Sequence, residues 1–116
     1  KQFGSRMTLP DGKNLTCCGD EPYRDCEENY AQNSDWLLHE AFCLDAQADI
    51  FHPYEKSHST AKDACQTAEK LGVKNLVLYH TEDKNIARRR ELYTAEGQPY
   101  FSGNLYVPDD LDVIEL

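Results

Sequence analysis

Side chains that could bind a metal ion or move a proton stand at the ends of several predicted strands. Three strands each run into such residues: Asp20 after residues 14–18, His39 and Glu40 after residues 36–38, and His80 after residues 73–79. His58 stands just before the first clear helix, whereas His52, which Pro53 follows, is predicted to be structural. In open α/β sheets the crevice beyond the carboxyl ends of the strands binds ligands. Since carboxylate oxygen and imidazole nitrogen are zinc ligands, the sequence predicts a metal site at this edge.

The elements that must position these residues alternate between strand and helix. Asp11-Gly12 separates two short runs with alternating apolar residues, a pattern that predicts a hairpin. Apolar and small residues at helical spacing predict a helix at 61–71, capped by Ser59 or Thr60 and ended by Gly72. The continuous apolar runs at 36–38 and 76–78 predict buried, parallel neighbouring strands.

The remainder of the chain predicts a second helix and a closing hairpin. The second helix is expected at 81–96, capped by Thr81 and stopped by Gly97. Residues 105–107, a turn at 108–110 and residues 112–116 are expected to form the final hairpin. The predicted fold class is therefore α/β, with a mixed sheet, two main helices and a hairpin at each end.

Length and charge exclude several classes of protein. The chain has 116 residues, enough for one domain, and no apolar stretch long enough to span a membrane. A net charge of −9 argues against a module that tracks nucleic-acid phosphates, so nucleic-acid binding by this chain on its own is not expected. The five cysteines include no CxxC pair and are odd in number, which favours free thiols and a cytoplasmic location.

Four short motifs, in order along residues 4–116, resemble those of the metallo-β-lactamase-fold hydrolases. Leu15–Asp20 reads LTCCGD and resembles the strand that ends in GD, while residues 37–42, LLHEAF, resemble the HEAT loop of the ribonuclease Z branch. Residues 57–61, SHSTA, are similar to the HST loop of that branch, and residues 76–80, LVLYH, resemble the final histidine motif, usually LVLTH. The resemblance therefore implies a ribonuclease Z-like member of the αββα sandwich fold.

The resemblance also implies a role for each matching residue. Asp20 would bridge two metal ions, and His80 would bind the second of them. The ions would be zinc, with manganese as the alternative, and a hydroxide held by the metal would attack the substrate. Glu40 and His58 would form an acid–base pair in which the glutamate orients the imidazole that protonates the leaving oxygen. The implied reaction is hydrolysis, with a phosphodiester as the favoured substrate.

Two departures from the family pattern limit what this chain can do. Phe42 replaces the threonine of HEAT, which alters the wall of the pocket. The HxHxDH signature is absent, and so is the histidine that normally precedes the GD element. These ligands lie in the first half of the family's fold, so residues 1–116 are expected to be its C-terminal half, and Lys1 to mark a cut within a longer enzyme.

Such a half is expected to be inactive alone, since a catalytic zinc normally has three protein ligands. It would expose a sheet face for the missing N-terminal half or for a second copy of the chain. Two alternatives stay open: a non-catalytic interaction domain that keeps the half-fold, and a hydrolase for another ester or a lactone.

Overall fold

Five strands form one mixed sheet in the computed structural model, which describes residues 3–116. Lys1, which is expected to mark a cut within a longer enzyme, lies outside the described residues. The strands follow the order of the sequence: β1 (Ser5–Thr8), β2 (Asn14–Cys17), β3 (Trp36–Glu40), β4 (Asn75–Tyr79) and β5 (Asn104–Tyr106). β1 and β2 form the predicted antiparallel hairpin, and all later pairings are parallel. The carboxyl ends of β2, β3 and β4 therefore meet at one edge of the sheet.

The helices are α1 (Glu28–Ala31), α2 (Ala48–Phe51), α3 (Ala61–Leu71) and α4 (Arg89–Gly97). The α3 helix confirms the prediction at both ends. Thr60 Oγ1 accepts a hydrogen bond from the backbone N–H of Asp63, whose carboxylate accepts from the N–H of Thr60, and Gly72 ends the helix at φ +67°. This reciprocal cap satisfies two amide groups that the first turn would otherwise leave unpaired.

The second long helix starts later than predicted, and a left-handed glycine is not what ends it. Thr81 is not a cap, because the buried carboxylate of Glu82 accepts hydrogen bonds from the N–H groups of Lys84 and Asn85 and holds this segment as a loop. Gly97 is the last residue of α4 with φ −85°, and a tight 3₁₀ turn (Gln98–Tyr100) continues from it. Its role is close packing, since a Cβ at Gly97 would overlap the Cys65 sulfur.

The predicted C-terminal hairpin is wrong. β5 pairs with β4 in parallel, and residues 108–116 contain a turn but no strand. Two acidic side chains of this segment contact arginines of α4 instead. Arg89 contacts Asp109, and Arg90 contacts both Asp109 and Asp112.

The hydrophobic core lies on one face of the sheet. Leu37, Leu76 and Leu78 point to this face and are fully buried in a cluster with side chains of α3 and α4. Alternate residues such as Leu38 point to the opposite face, and in residues 3–116 none of the core cluster comes from it. One sheet face is therefore packed under helices, whereas Trp36 and Val77 are buried and Leu38 is half-buried on the other face, outside that cluster. Within the described residues, no helix is both long and apolar enough to cross a bilayer.

Candidate metal centre

Three predicted site residues converge at the shared edge of the parallel strands. Asp20 follows β2, His80 follows β4 directly, and His58 lies in the loop before α3. One potential ligand atom from each residue lies within 4.8 Å of the other two. One carboxylate and two imidazoles match the ligands that zinc takes in proteins. The donor set thus fits a transition-metal ion.

Asp20 and His80 are the closest pair in this cluster. His80 Nε2 lies 3.0 Å from Asp20 Oδ1, and both side chains are close to half exposed. Two left-handed residues turn the chain at these strand ends, Gly19 at φ +80° and His80 at φ +54°. Because such a conformation costs a non-glycine residue free energy, the strained backbone of His80 marks a position that the surrounding structure holds in place.

A hydrogen bond from Tyr79 joins the two loops that carry this pair. The Tyr79 hydroxyl donates to the carbonyl oxygen of Gly19 and lies 3.6 Å from the Cys17 sulfur. Burial raises the pKa of Tyr79, so its hydroxyl stays protonated and continues to donate. Since Gly19 precedes Asp20 and Tyr79 precedes His80, this bond fixes one predicted ligand relative to the other. Sequence reasoning missed it, although tyrosine in place of the usual threonine of the final motif was a visible signal.

Glu40 lies behind His58 and is itself fully buried. Its Oε1 accepts hydrogen bonds of 2.6 Å from both the backbone N–H and the hydroxyl of Ser59. Its Oε2 lies 3.4 Å from Nδ1 of His58, whose side chain is 16% exposed, and neither atom has a hydrogen-bond partner within the described residues. A carboxylate in this place favours the tautomer with the proton on Nδ1. Nε2 is then the nitrogen that remains for chemistry at the cluster.

Phe42 forms one wall of the cluster. Its ring stacks on His58 at a centroid distance of 5.0 Å and lies 6.5 Å from the ring of His80. Its backbone N–H donates to Ser59 and its carbonyl accepts from Glu82, so the ring projects from a fixed position. The aromatic replacement in the HEAT motif therefore touches both histidines.

The remaining two histidines lie apart from the cluster. The imidazole of His39 is buried, with Nε2 accepting from the N–H of Tyr23 at 3.0 Å and Nδ1 donating to the Glu40 carbonyl at 2.6 Å. Burial lowers the pKa of His39, and both nitrogens are occupied, so the metal-binding potential inferred from its strand-end position is wrong. His52 is exposed and lies 3.5 Å from Glu55, outside the cluster.

Comparisons with known proteins relate the chain to ribonuclease Z, although no known family profile matches it. It is 30% identical over 129 aligned positions to the ribonuclease Z of Synechococcus sp. (strain CC9311), covering 95% of this chain and 40% of that protein. It is 29% identical over 128 aligned positions to the ribonuclease Z of Lactiplantibacillus plantarum, covering 97% of this chain and 40% of that protein. The chain therefore spans about two fifths of the length of these curated relatives.

Solved structures support the same relationship. Human tRNase Z, short form, superposes on 97% of this chain and 36% of its own, with a TM-score of 0.71 and 25% identity. The metallo-β-lactamase fold protein YhfI from Bacillus subtilis matches in fold, with a TM-score of 0.68 at 20% identity over 86% of this chain and 39% of its own. The partial coverage is consistent with the C-terminal half predicted from the motifs. The chain thus has the metallo-β-lactamase fold and is a homologue of its ribonuclease Z branch.

Proposed function

We propose that this chain supplies the C-terminal half of a metal-dependent hydrolase that cleaves phosphodiesters, and that it is inactive without the other half. The observation that carries the proposal is the convergence of Asp20, His58 and His80 at one sheet edge, with Glu40 behind His58. Convergent imidazole and carboxylate groups beside a buried acid are what metal-assisted hydrolysis requires. We expect the protein in the cytoplasm, since all five cysteines are free thiols.

Asp20 and His80 would hold the metal ions. Zinc is the favoured ion and manganese the alternative. The bound metal would activate a water molecule for attack on phosphorus at neutral pH. A catalytic zinc takes about three protein ligands, so the remaining ligands would come from the half of the fold that this chain lacks.

His58 would act on the leaving group rather than on the metal. Ser59 fixes the buried carboxylate of Glu40 by two hydrogen bonds, and Glu40 in turn faces Nδ1 of His58. In the doubly protonated imidazolium, Nδ1–H would face Glu40 and Nε2–H would donate its proton to the departing oxygen. Phe42, stacked on the ring, restricts its rotation and excludes water from one side.

The sheet face opposite the helices is the surface on which the missing half would pack. Leu15, Leu38 and Tyr106 lie on it and are only half-buried. Covering such a face with a second sheet would bury their apolar surface and complete the sandwich. A second copy of the chain is the alternative occupant.

Hydrolysis of bis-p-nitrophenyl phosphate by the longer protein that contains this segment tests the proposal. Asp20→Ala should abolish activity and lower the metal content, because it removes a ligand. His58→Gln should lower turnover at least about a hundredfold with the metal retained, as expected for loss of a general acid. His52→Gln is the matched control and should leave both unchanged.

Four outcomes would contradict the proposal in different ways. Activity that survives Asp20→Ala would remove this residue from the site. Joint loss of metal and activity in His58→Gln would make His58 a ligand. A parent protein with neither metal nor activity would support the non-catalytic interaction domain, whereas hydrolysis of a lactone and not of the phosphodiester would point to the other substrate class.

A further inference from the structure

The carboxylate of Glu82 is buried and forms no ion pair within residues 3–116. Its Oε2 accepts hydrogen bonds from the backbone N–H groups of Lys84, at 2.5 Å, and Asn85, at 3.3 Å. Its Oε1 accepts from the side-chain amide of Asn85 at 2.7 Å and from the hydroxyl of Tyr93 at 3.3 Å. Removing a carboxylate from water costs free energy, which these four donors offset. Both oxygens of Glu82 therefore serve to hold the surrounding chain.

The backbone of Glu82 joins the chain after β4 to the chain after β3. The N–H of the residue that follows β3 donates to the carbonyl oxygen of Tyr79 at 2.9 Å, and the N–H of Glu82 donates to that of Phe42 at 2.6 Å. The two residues between these bonds, of which His80 is the first, belong to neither strand. We call residues 79–82 the His80 arch, because both of its ends are fixed to neighbouring residues of one loop.

Helix α4 holds the His80 arch from the side. The hydroxyl of Tyr93 lies 3.3 Å from both the Glu82 carboxylate and the Phe42 carbonyl oxygen, so it contacts the two partners that close the arch. One turn earlier, Nη1 of Arg89 donates to the hydroxyl of Thr81 at 3.1 Å. Since residues four apart lie on the same face of a helix, one face of α4 supports the whole arch.

The backbone of His80 is strained within this arch. Its φ of +54° costs a histidine free energy, so contacts outside the residue must hold it there. In this conformation Nε2 of His80 lies 3.0 Å from Asp20 Oδ1, and the imidazole ring lies 5.0 Å from that of His58, centroid to centroid. The position of a predicted metal ligand therefore depends on whatever keeps the arch closed.

We infer that Glu82 is a positioning residue, whose carboxylate closes the arch and so places the imidazole of His80 in the candidate metal centre. Two acceptor oxygens are required, because four donors converge on them. A glutamine has one such oxygen and would turn an NH₂ group toward some of these donors. The inference rests on the proposed function only in counting His80 as a metal ligand, since the position of the ring itself requires no metal.

Glu82→Gln in the 116-residue chain tests the inference with two measurements. The first, made with a chelator present, is the nuclear Overhauser effect between the ring protons of His58 and His80. It should be present in the parent chain and lost in the variant. The second is a Zn²⁺ titration, in which the variant should bind about tenfold more weakly, as is typical when the support of a metal ligand is removed.

A matched control separates positioning from general stability. The carboxylate of Glu96 also accepts backbone N–H groups, but from residues outside the arch, namely Asp45, Ala46 and Lys62. Glu96→Gln should lower the midpoint of urea unfolding, as Glu82→Gln does, yet keep the Overhauser effect and the zinc affinity of the parent chain. Should Glu82→Gln not fold, Tyr93→Phe decides in its place. It removes one of the four donors, so it should weaken the Overhauser effect and lower the zinc affinity about threefold.

The outcomes distinguish this inference from the proposed function. If the parent chain binds zinc, either measurement unchanged in Glu82→Gln, or equal losses in Glu96→Gln, would overturn the inference. A parent chain without the Overhauser effect would overturn it as well. If the parent chain binds no zinc but Glu82→Gln alone loses the Overhauser effect, the positioning role of Glu82 is supported and the proposed metal site is contradicted.

Discussion

The hydroxyl of Tyr79 joins the two loops of the candidate metal centre, although Tyr79 is not one of its predicted ligands. It connects the backbone before Asp20 to the backbone before His80 across the strand ends. The candidate site residues could be proposed from the sequence, because Asp20, Glu40 and His80 follow apolar runs and His58 precedes a capped helix. The tyrosine was not, since a hydrogen bond from a side chain to a distant carbonyl depends on the three-dimensional approach of two loops.

Removing that hydroxyl should therefore weaken metal binding without unfolding the chain. We expect Tyr79→Phe to bind Zn²⁺ about fivefold more weakly in a titration of the chain, as the loss of one hydrogen bond of about 1 kcal/mol would give. Tyr106→Phe is the matched control, because Tyr106 lies on the same sheet face but contacts Trp36 instead. Equal zinc affinities for Tyr79→Phe and the parent chain would show that the bond does not position Asp20.

At the scale of elements, strand β3 carries neighbouring residues into opposite environments. His39 points into the core and Glu40 points to the site, as the alternation of side chains along a strand requires. The sequence predicted the strand but ended it before both residues, so it placed both at the edge. The sequence also misplaced the start of α4, which the buried Glu82 sets. It misassigned residues 108–116 as well, whose Asp109 contacts Arg89 of α4.

The buried imidazole of His39 should make the stability of the fold depend on pH. In the unfolded chain it takes up a proton below about pH 6.5, whereas burial lowers its pKa in the folded chain and keeps it neutral. The unfolded state then binds more protons, so the free energy of unfolding should fall as the pH falls below this value. The slope of the free energy of unfolding against pH should approach about 1.4 kcal/mol per pH unit.

Urea unfolding between pH 6.5 and pH 5 measures this slope. His39→Gln should remove most of it, and His52→Gln, which changes an exposed histidine, should not. The carboxylates with lowered pKa values, Asp11, Asp35, Glu69 and Glu91, begin to contribute only at lower pH. A slope in His39→Gln equal to that of the parent chain would assign the acid sensitivity to other groups.

At the scale of the whole molecule, the chain is one packed layer of helices on a sheet whose other face is not covered by the described core. The α/β class, the parallel pairing of β3 with β4 and helix α3 could be predicted from apolar runs, a cap and a glycine, because these signals are local. A partner for the other face was inferred only from the missing motifs, since a partner that is not in the sequence leaves no pattern in it.

The zinc affinity of residues 1–116 on their own tests the central claim, that this chain carries part of a metal site, most directly. We predict weak binding that dialysis removes, lost in Asp20→Ala and His80→Ala and retained in His58→Gln. Zinc that stays bound one to one through dialysis would contradict the account, because the site would then be complete without the other half.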